Sequence, residues 1–311
     1  MTGSSEASGD SRSPLTWWPA PAKLNLFLHV VGRYPDGYHR LQTLFQLIDL
    51  CDRVGLAARE DGRIERVAGP AQIAADDDLC VRAARLLQRT CGVRRGADIH
   101  LVKHIPTGGG LGGGSSDAAT VLRVLNRLWG TGLATAELAA LGLTLGADVP
   151  VFVHGVTAWG EGRGEQLEPV QVPPRWYLVI HPGVAVSTAE IFQAPELTRN
   201  LPPLTTRGFS MDRTANVCEP VVRVRHPQVA EALDWLAVQS NGLNVEGGAR
   251  MSGTGACVFA SFERQQDAQR IAARVPQRWR GIVARGLNES PLQSAPGSAR
   301  AADVAEQGGG F

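Results

Sequence analysis

The chain has 311 residues, enough to bury a sizeable core, and a length that favours two domains over one. It is 43% hydrophobic and 20% charged, and 31 Lys and Arg against 30 Asp and Glu leave a formal charge of +1. That balance excludes a partner recruited by bulk charge, so neither nucleic acid nor an acidic membrane surface is expected. The five cysteines stand at 51, 80, 91, 218 and 257 without paired spacing, which points to reduced thiols and away from a disulfide framework or a zinc site. Residues 1–16 hold no apolar segment of the signal-peptide kind, and no apolar run approaches the ~18 residues of a membrane span. A cytoplasmic protein is therefore expected, a monomer or a weak homodimer.

In chain order, residues 1–17 are small and polar and read as a disordered tail. Residues 22–31 alternate as a strand, with Leu24, Leu26, Leu28 and Val30 on one face and Lys23, Asn25, Phe27 and His29 on the other. Further strands are expected at 41–49, 53–58 and 63–67, the last two separated by an Asp-Gly turn signal. Asp76-Asp77-Asp78 precedes a helical pattern to about residue 90, where acidic residues serve as caps and dipole partners. A strand at 97–105 carries His100 and His104, ~13 Å apart on a strand and too distant to share a metal. Helices follow at 116–129 and 135–145. Beyond residue 160 come strands at 176–181, 255–262 and 281–287, helices near 187–193, 228–238 and 264–274, and an irregular stretch at 200–220. Strands and helices mix without strict alternation, which predicts an α+β fold. The division expected is an N-terminal domain over 18–160, a C-terminal domain over 161–290 and a disordered tail over 291–311.

The segment 106–114, Pro106-Thr107-Gly108-Gly109-Gly110-Leu111-Gly112-Gly113-Gly114, places six glycines between a strand and a helix that opens on Ser115 and Ser116. Bare backbone and the free N–H groups of a first helical turn make an anion site. A Walker-type loop needs a lysine before its Ser or Thr, and Gly114 is followed directly by Ser115. Gly108, Gly110 and Gly113 satisfy G-x-G-x-x-G, but the following strand with its ribose-binding acid is missing. Spacing alone thus gives a phosphate-binding site, and most simply phosphoryl transfer. Asp117 is awkward beside phosphates unless it points away or reaches a metal.

The motif from Pro106 to Ala119 resembles the phosphate-binding motif of the GHMP kinases, which phosphorylate small alcohols. Pro21-Ala-Lys-Leu-Asn-Leu near the start and Ser252-Gly-Thr-Gly-Ala-Cys near the end fit the same family. Asp36-Gly-Tyr-His, Leu41-Gln-Thr-Leu-Phe-Gln, Leu145-Gly-Ala-Asp-Val-Pro-Val-Phe and Ile191-Phe-x-x-Pro-Glu-Leu narrow the likeness to the branch whose acceptor carries a cytidine diphosphate group. The resemblance covers roughly residues 18–292 and implies a two-domain fold with the site in the cleft. It implies ATP as co-substrate with Mg2+, held along Pro106–Ser116, and a catalytic pair of Lys23 and Asp148. It places the cytidine between Tyr38 and Phe192, with His39 and Thr188 nearby and Asn25, Gly253 and Thr254 facing the substrate; metal ligands stay unassigned. Two rivals stand beside this reading: another alcohol kinase of the family, such as a homoserine kinase, and an inactive nucleotide-binding regulator, against which the presence of both Lys23 and Asp148 argues. The chain departs from the family at Asp78, often Asn beside the adenine pocket, and at Met251, more usually Leu.

Overall fold

The computed structural model describes residues 13–205, 210–243 and 245–295. Of the tails expected over 1–17 and 291–311, residues 1–12 and 296–311 lie outside the described residues, while Thr16 and Trp17 already belong to the first strand. Two long strands, β1 (Thr16–Arg33) and β2 (His39–Arg59), run antiparallel and form the spine of the molecule. β2 takes up both expected strands at 41–49 and 53–58 without a break. The simple alternation expected along β1 does not hold, because the register slips between Pro21 and Ala22, between Asn25 and Leu28, and again near Val30. Each bulge adds a residue and changes which face follows. Leu24, Leu26 and Phe27 therefore pack together in one core cluster, while Leu28 and Val30 pack in another.

The first half continues with β3 (Ile64–Ala68), α1 (Leu79–Cys91), β4 (Gly96–Val102), α2 (Gly113–Leu128), α3 (Thr135–Leu143), α4 (Val149–His154), β5 (Ala158–Gly162) and β6 (Gln166–Pro169). The Asp-Gly signal at 61–62 does not close a hairpin: β4 inserts between β2 and β3, and β3 pairs with β4 in parallel. Arg59 and Asp98, side by side on β2 and β4, form a buried ion pair there. α1 begins where Asp78 accepts from the backbone N–H of Cys80 at 2.8 Å, so that aspartate is the expected cap. α2 buries Ala118, Val121, Leu122 and Leu125 against α1, α4 and the sheet. Each large apolar side chain so buried is worth about 1.5–3 kcal/mol over an exposed one.

The second half holds β7 (Trp176–His181), α5 (Thr188–Gln193), α6 (Glu219–Arg225), α7 (Pro227–Ser240), β8 (Arg250–Met251), β9 (Val258–Phe262), α8 (Gln265–Ala272), β10 (Arg280–Leu287) and α9 (Pro291–Ser294). The sheet runs β3-β4-β2-β10-β7-β9-β8, with β1 and β5 also on β2. The seam between halves is the pairing of Gly286 and Leu287 with Ile48 and Leu47. The architecture is α+β, as expected. Part of the stretch read as irregular is α6, begun by Pro220 in its first turn, and the segment after Ser290 is a capped helical turn that buries Leu292 rather than the start of a tail. Among the described residues no helix is long and apolar enough to cross a membrane.

Candidate active site

The glycine loop joins β4 to α2. Gly108, Gly110 and Gly112 all have φ near +70°, which L side chains rarely adopt. The loop is also pressed against a second glycine turn, Ser252–Gly255, that leads into β9. Ala256 and Cys257 donate their backbone N–H groups to the carbonyls of Gly108 (3.2 Å) and Gly109 (3.0 Å), and the Ser252 hydroxyl donates to Gly110 O (2.9 Å). A Cβ on Gly110 would lie 2.2 Å from Ser252 O, and one on Gly109 would lie 2.5 Å from the Cys257 sulfur. Part of the glycine content thus serves protein packing, beyond the access to an anion that the sequence suggests.

Lys23 sits on β1 directly below this loop. Its backbone N–H donates to Leu111 O at 3.0 Å, and its ammonium donates to Gly110 O at 3.0 Å and to Asn25 Oδ1 at 2.5 Å. The same nitrogen lies 3.2 Å from Asp148 Oδ2, the lysine being 3% exposed and the aspartate 35%. Asp148 ends the 144–148 segment at the head of α4, helical in its own φ and ψ, and its side chain does not cap the helix. Asn25 in turn donates to the Thr43 hydroxyl (2.9 Å), which donates to Phe27 O (2.5 Å). Thr43 is a residue that sequence reasoning missed, since its approach to Asn25 depends on the β1 bulge.

Two cavities meet at this pair. One, of about 360 Å³, is lined by Pro106–Ser115, Asp78, Leu79, Lys103, Asp117 and Asp148. Asp78 also pairs with Arg66 at 2.7 Å. Ser115 lies on the cavity wall, whereas Ser116 is fully buried behind it with its hydroxyl unpartnered among the described residues. Asp117 stands on the same wall: one oxygen takes Lys103, which also binds Asp52, and the other is buried without a partner among the described residues.

Burial, and behind it the charge of Asp52, push the Asp117 carboxyl up to about 7 against the pull of Lys103. A carboxyl raised on folding contributes stability that is present below its unfolded value and is lost as pH rises through about 7. The Tm of the wild type, relative to Asp117→Asn, should therefore fall between pH 5 and 8; a constant difference would contradict this assignment.

The other cavity, of about 820 Å³, is lined by Lys23, Asn25, Tyr38, His39, Asp148, Thr188, Phe192, Gly253 and Thr254. Every acceptor-side residue expected from the sequence is on its wall. Asp148, Ser115, Gly110 and Thr188 border both cavities. The Thr188 and Thr254 hydroxyls are 2.9 Å apart. The expected aromatic arrangement is altered in detail: His39 stacks on Phe192, ring centroids 5.1 Å apart, while Tyr38 stands 59% exposed under Arg163. His39 Nε2 accepts from Arg33 (3.2 Å) and Arg199 (3.1 Å), which puts the ring proton on Nδ1. Burial, then the charges of Arg33 and Arg199, hold the imidazole below its ordinary value and so neutral.

A family model described as GHMP kinases N terminal domain matches residues 78–156, and one described as GHMP kinases C terminal matches residues 205–281. A protein of Alkalilimnicola ehrlichii named 4-diphosphocytidyl-2-C-methyl-D-erythritol kinase is 58% identical over 275 residues, covering 88% of this chain and 92% of its own. A relative of the same name from Halorhodospira halophila is 56% identical over 278 residues, covering 88% and 94%. A crystal structure of 4-(cytidine 5'-diphospho)-2C-methyl-D-erythritol kinase is 33% identical with a TM-score of 0.74, covering 87% of this chain and 99% of that one. Homoserine kinase from Cytophaga hutchinsonii shares the fold at 17% identity, with a TM-score of 0.66 and coverage of 93% and 98%. The two matched domains flank the cleft that holds Lys23 and Asp148, and with relatives at this level of identity the chain belongs to the GHMP kinase family.

Proposed function

We propose that the chain transfers the γ-phosphoryl group of ATP to the 2-hydroxyl of 4-diphosphocytidyl-2-C-methyl-D-erythritol, giving the 2-phosphate and ADP, a step toward isoprenoid precursors by the non-mevalonate route. The observation that carries the reaction type is the meeting of a glycine-lined cavity and a larger second cavity at one Lys–Asp pair. The acceptor follows from the names of relatives more than 50% identical over most of the chain. Similarity to homoserine kinase is one of fold alone.

Phosphoryl transfer asks the protein for alignment and charge stabilisation more than for covalent chemistry. Gly108–Ser115 hold the phosphates by backbone N–H groups and the first turn of α2. Asp148 orients the acceptor hydroxyl and accepts its proton as the new O–P bond forms and the bond to the ADP oxygen breaks. Lys23, held by Asn25 and Gly110 O and 3.2 Å from Asp148 Oδ2, stabilises the charge on the transferred group. Among the described residues no cluster of three or more His, Cys, Asp or Glu forms a ready-made metal cage. Magnesium needs only one or two protein oxygens beside the phosphates of its nucleotide, and the unpartnered Asp117 oxygen and the Ser115 hydroxyl fit that demand. When bound, the ion neutralises charge on the β- and γ-phosphate oxygens.

The cytosine lies between Tyr38 and Phe192, and the neutral His39 offers an N–H from Nδ1. Base stacking on an aromatic is worth about 1–3 kcal/mol. Phe192→Ala should therefore raise KM for the acceptor roughly 5- to 150-fold while KM for ATP stays within about twofold. Equal changes in both constants would remove Phe192 from the acceptor site. The acceptor class itself is tested by thermal protection: CDP should raise the Tm and homoserine should not. Protection by homoserine alone would favour the rival alcohol kinase.

A further inference from the structure

Arg163 stands in the turn between β5 and β6, on the wall of the acceptor cavity, and no step described so far uses it. Its guanidinium carbon lies 4.1 Å from the centroid of the Tyr38 ring and 5.6 Å from that of Tyr34. Its Nη2 is 2.5 Å from Asp36 Oδ2, in the tight turn between β1 and β2. That turn is closed by the N–H of Tyr34 on Tyr38 O (2.8 Å) and of Gly37 on Tyr34 O (2.9 Å). One edge of the fork is therefore anchored and one flat face is stacked. Asp36 is the side chain's hydrogen-bond acceptor among the described residues, so Nε and Nη1 keep their donors for the cavity.

Charge sharpens the point. Of the cavity's other cations, Lys23 is committed to Asn25, Gly110 and Asp148, and Arg33 gives its Nε to His39. An acceptor with a diphosphate brings two phosphates past the Tyr38 ring, between the base and the alcohol at Asp148. A planar fork pre-positioned by an aspartate and an aromatic face suits paired phosphate oxygens, and little rotamer freedom remains to be lost on binding.

We propose that Arg163 is a specificity-determining residue that donates to the diphosphate of the acceptor while its stacked face fixes Tyr38 as the platform for the base. This rests on the acceptor given above and adds to it a contact that selects a nucleoside diphosphate over a bare nucleoside.

The test is steady-state kinetics of the full chain with 4-diphosphocytidyl-2-C-methyl-D-erythritol, with CDP and cytidine as competing ligands. Arg163→Ala should raise KM for the acceptor and Ki for CDP roughly tenfold to a hundredfold, with kcat within about threefold and Ki for cytidine raised by a clearly smaller factor, that of the lost support of Tyr38. Arg163→Lys, which keeps the charge but loses the fork, should fall between the two. Equal weakening of CDP and cytidine would overturn the diphosphate contact and leave Arg163 a support for Tyr38 alone. No change in either constant would overturn the proposal entirely. Failure of the reading beneath it looks different: wild type that neither turns over the acceptor nor binds CDP.

Discussion

Asp148→Asn should lower kcat by about 10²–10⁴-fold, the range a positioned proton acceptor supplies. The amide keeps the size and one acceptor oxygen of the carboxylate but takes no proton and offers Lys23 no charge. Asp148 ends the short segment before α4 and does not cap it, so the variant should fold and unfold as the wild type does. Binding of ATP and CDP, read by thermal shift, should persist, because the walls of both cavities extend well beyond this residue. A fall in kcat with KM for ATP little changed is the pattern of an interaction made in the transition state. A variant that kept a tenth or more of wild-type kcat would show that Asp148 orients the hydroxyl without taking its proton.

Gly110→Ala is expected to be the most damaging single methyl in the glycine loop. The residue holds φ at +72°, and its Cβ would fall 2.2 Å from Ser252 O and 3.0 Å from Gly255 O, backbone atoms that cannot rotate aside. Strain in the left-handed region and overpacking each cost about 1–3 kcal/mol, so the variant should lose about 2–6 kcal/mol of stability in urea unfolding. Gly110 O also holds the Lys23 ammonium and the Ser252 hydroxyl, so the remaining folded protein should be slow as well. Gly114→Ala is the control: the nearest atom is a Leu79 methyl at 3.6 Å, and the position has no positive φ. It should cost well under 1 kcal/mol. Equal costs at 110 and 114 would contradict the account of the loop as a packed joint.

The sequence carried the local chemistry far. The glycine loop, the cap at Asp78, the helix that follows the loop and the Lys-Asn pair on β1 all depend on neighbours within a few residues and are legible in the sequence. The residues expected around the acceptor do converge on one cavity. What could not be read was set by distant partners. The β1 bulges, which decide that Asn25 meets Thr43, follow from the pairing with β2 and have no signature in the alternation itself. The Asp-Gly turn signal does not lead β3 back beside β2, because nothing local announces that β4 takes that place. The dense packing of Gly109 and Gly110 against Ser252 and Cys257 joins segments some 145 residues apart, which the loop's own composition cannot reveal. Arg163 was missed for a similar reason: a single arginine in a glycine-flanked turn reads as solvated until the fold lays it across Tyr38.

The most direct measurement is the release of ADP by the purified wild type with ATP, magnesium and 4-diphosphocytidyl-2-C-methyl-D-erythritol, run beside homoserine as acceptor. The account requires rapid release with the cytidylyl acceptor, one new phosphomonoester per ADP in the phosphorus NMR spectrum, and no release above background with homoserine. Folded protein that binds ATP yet releases ADP only with homoserine, or with neither acceptor, would contradict it.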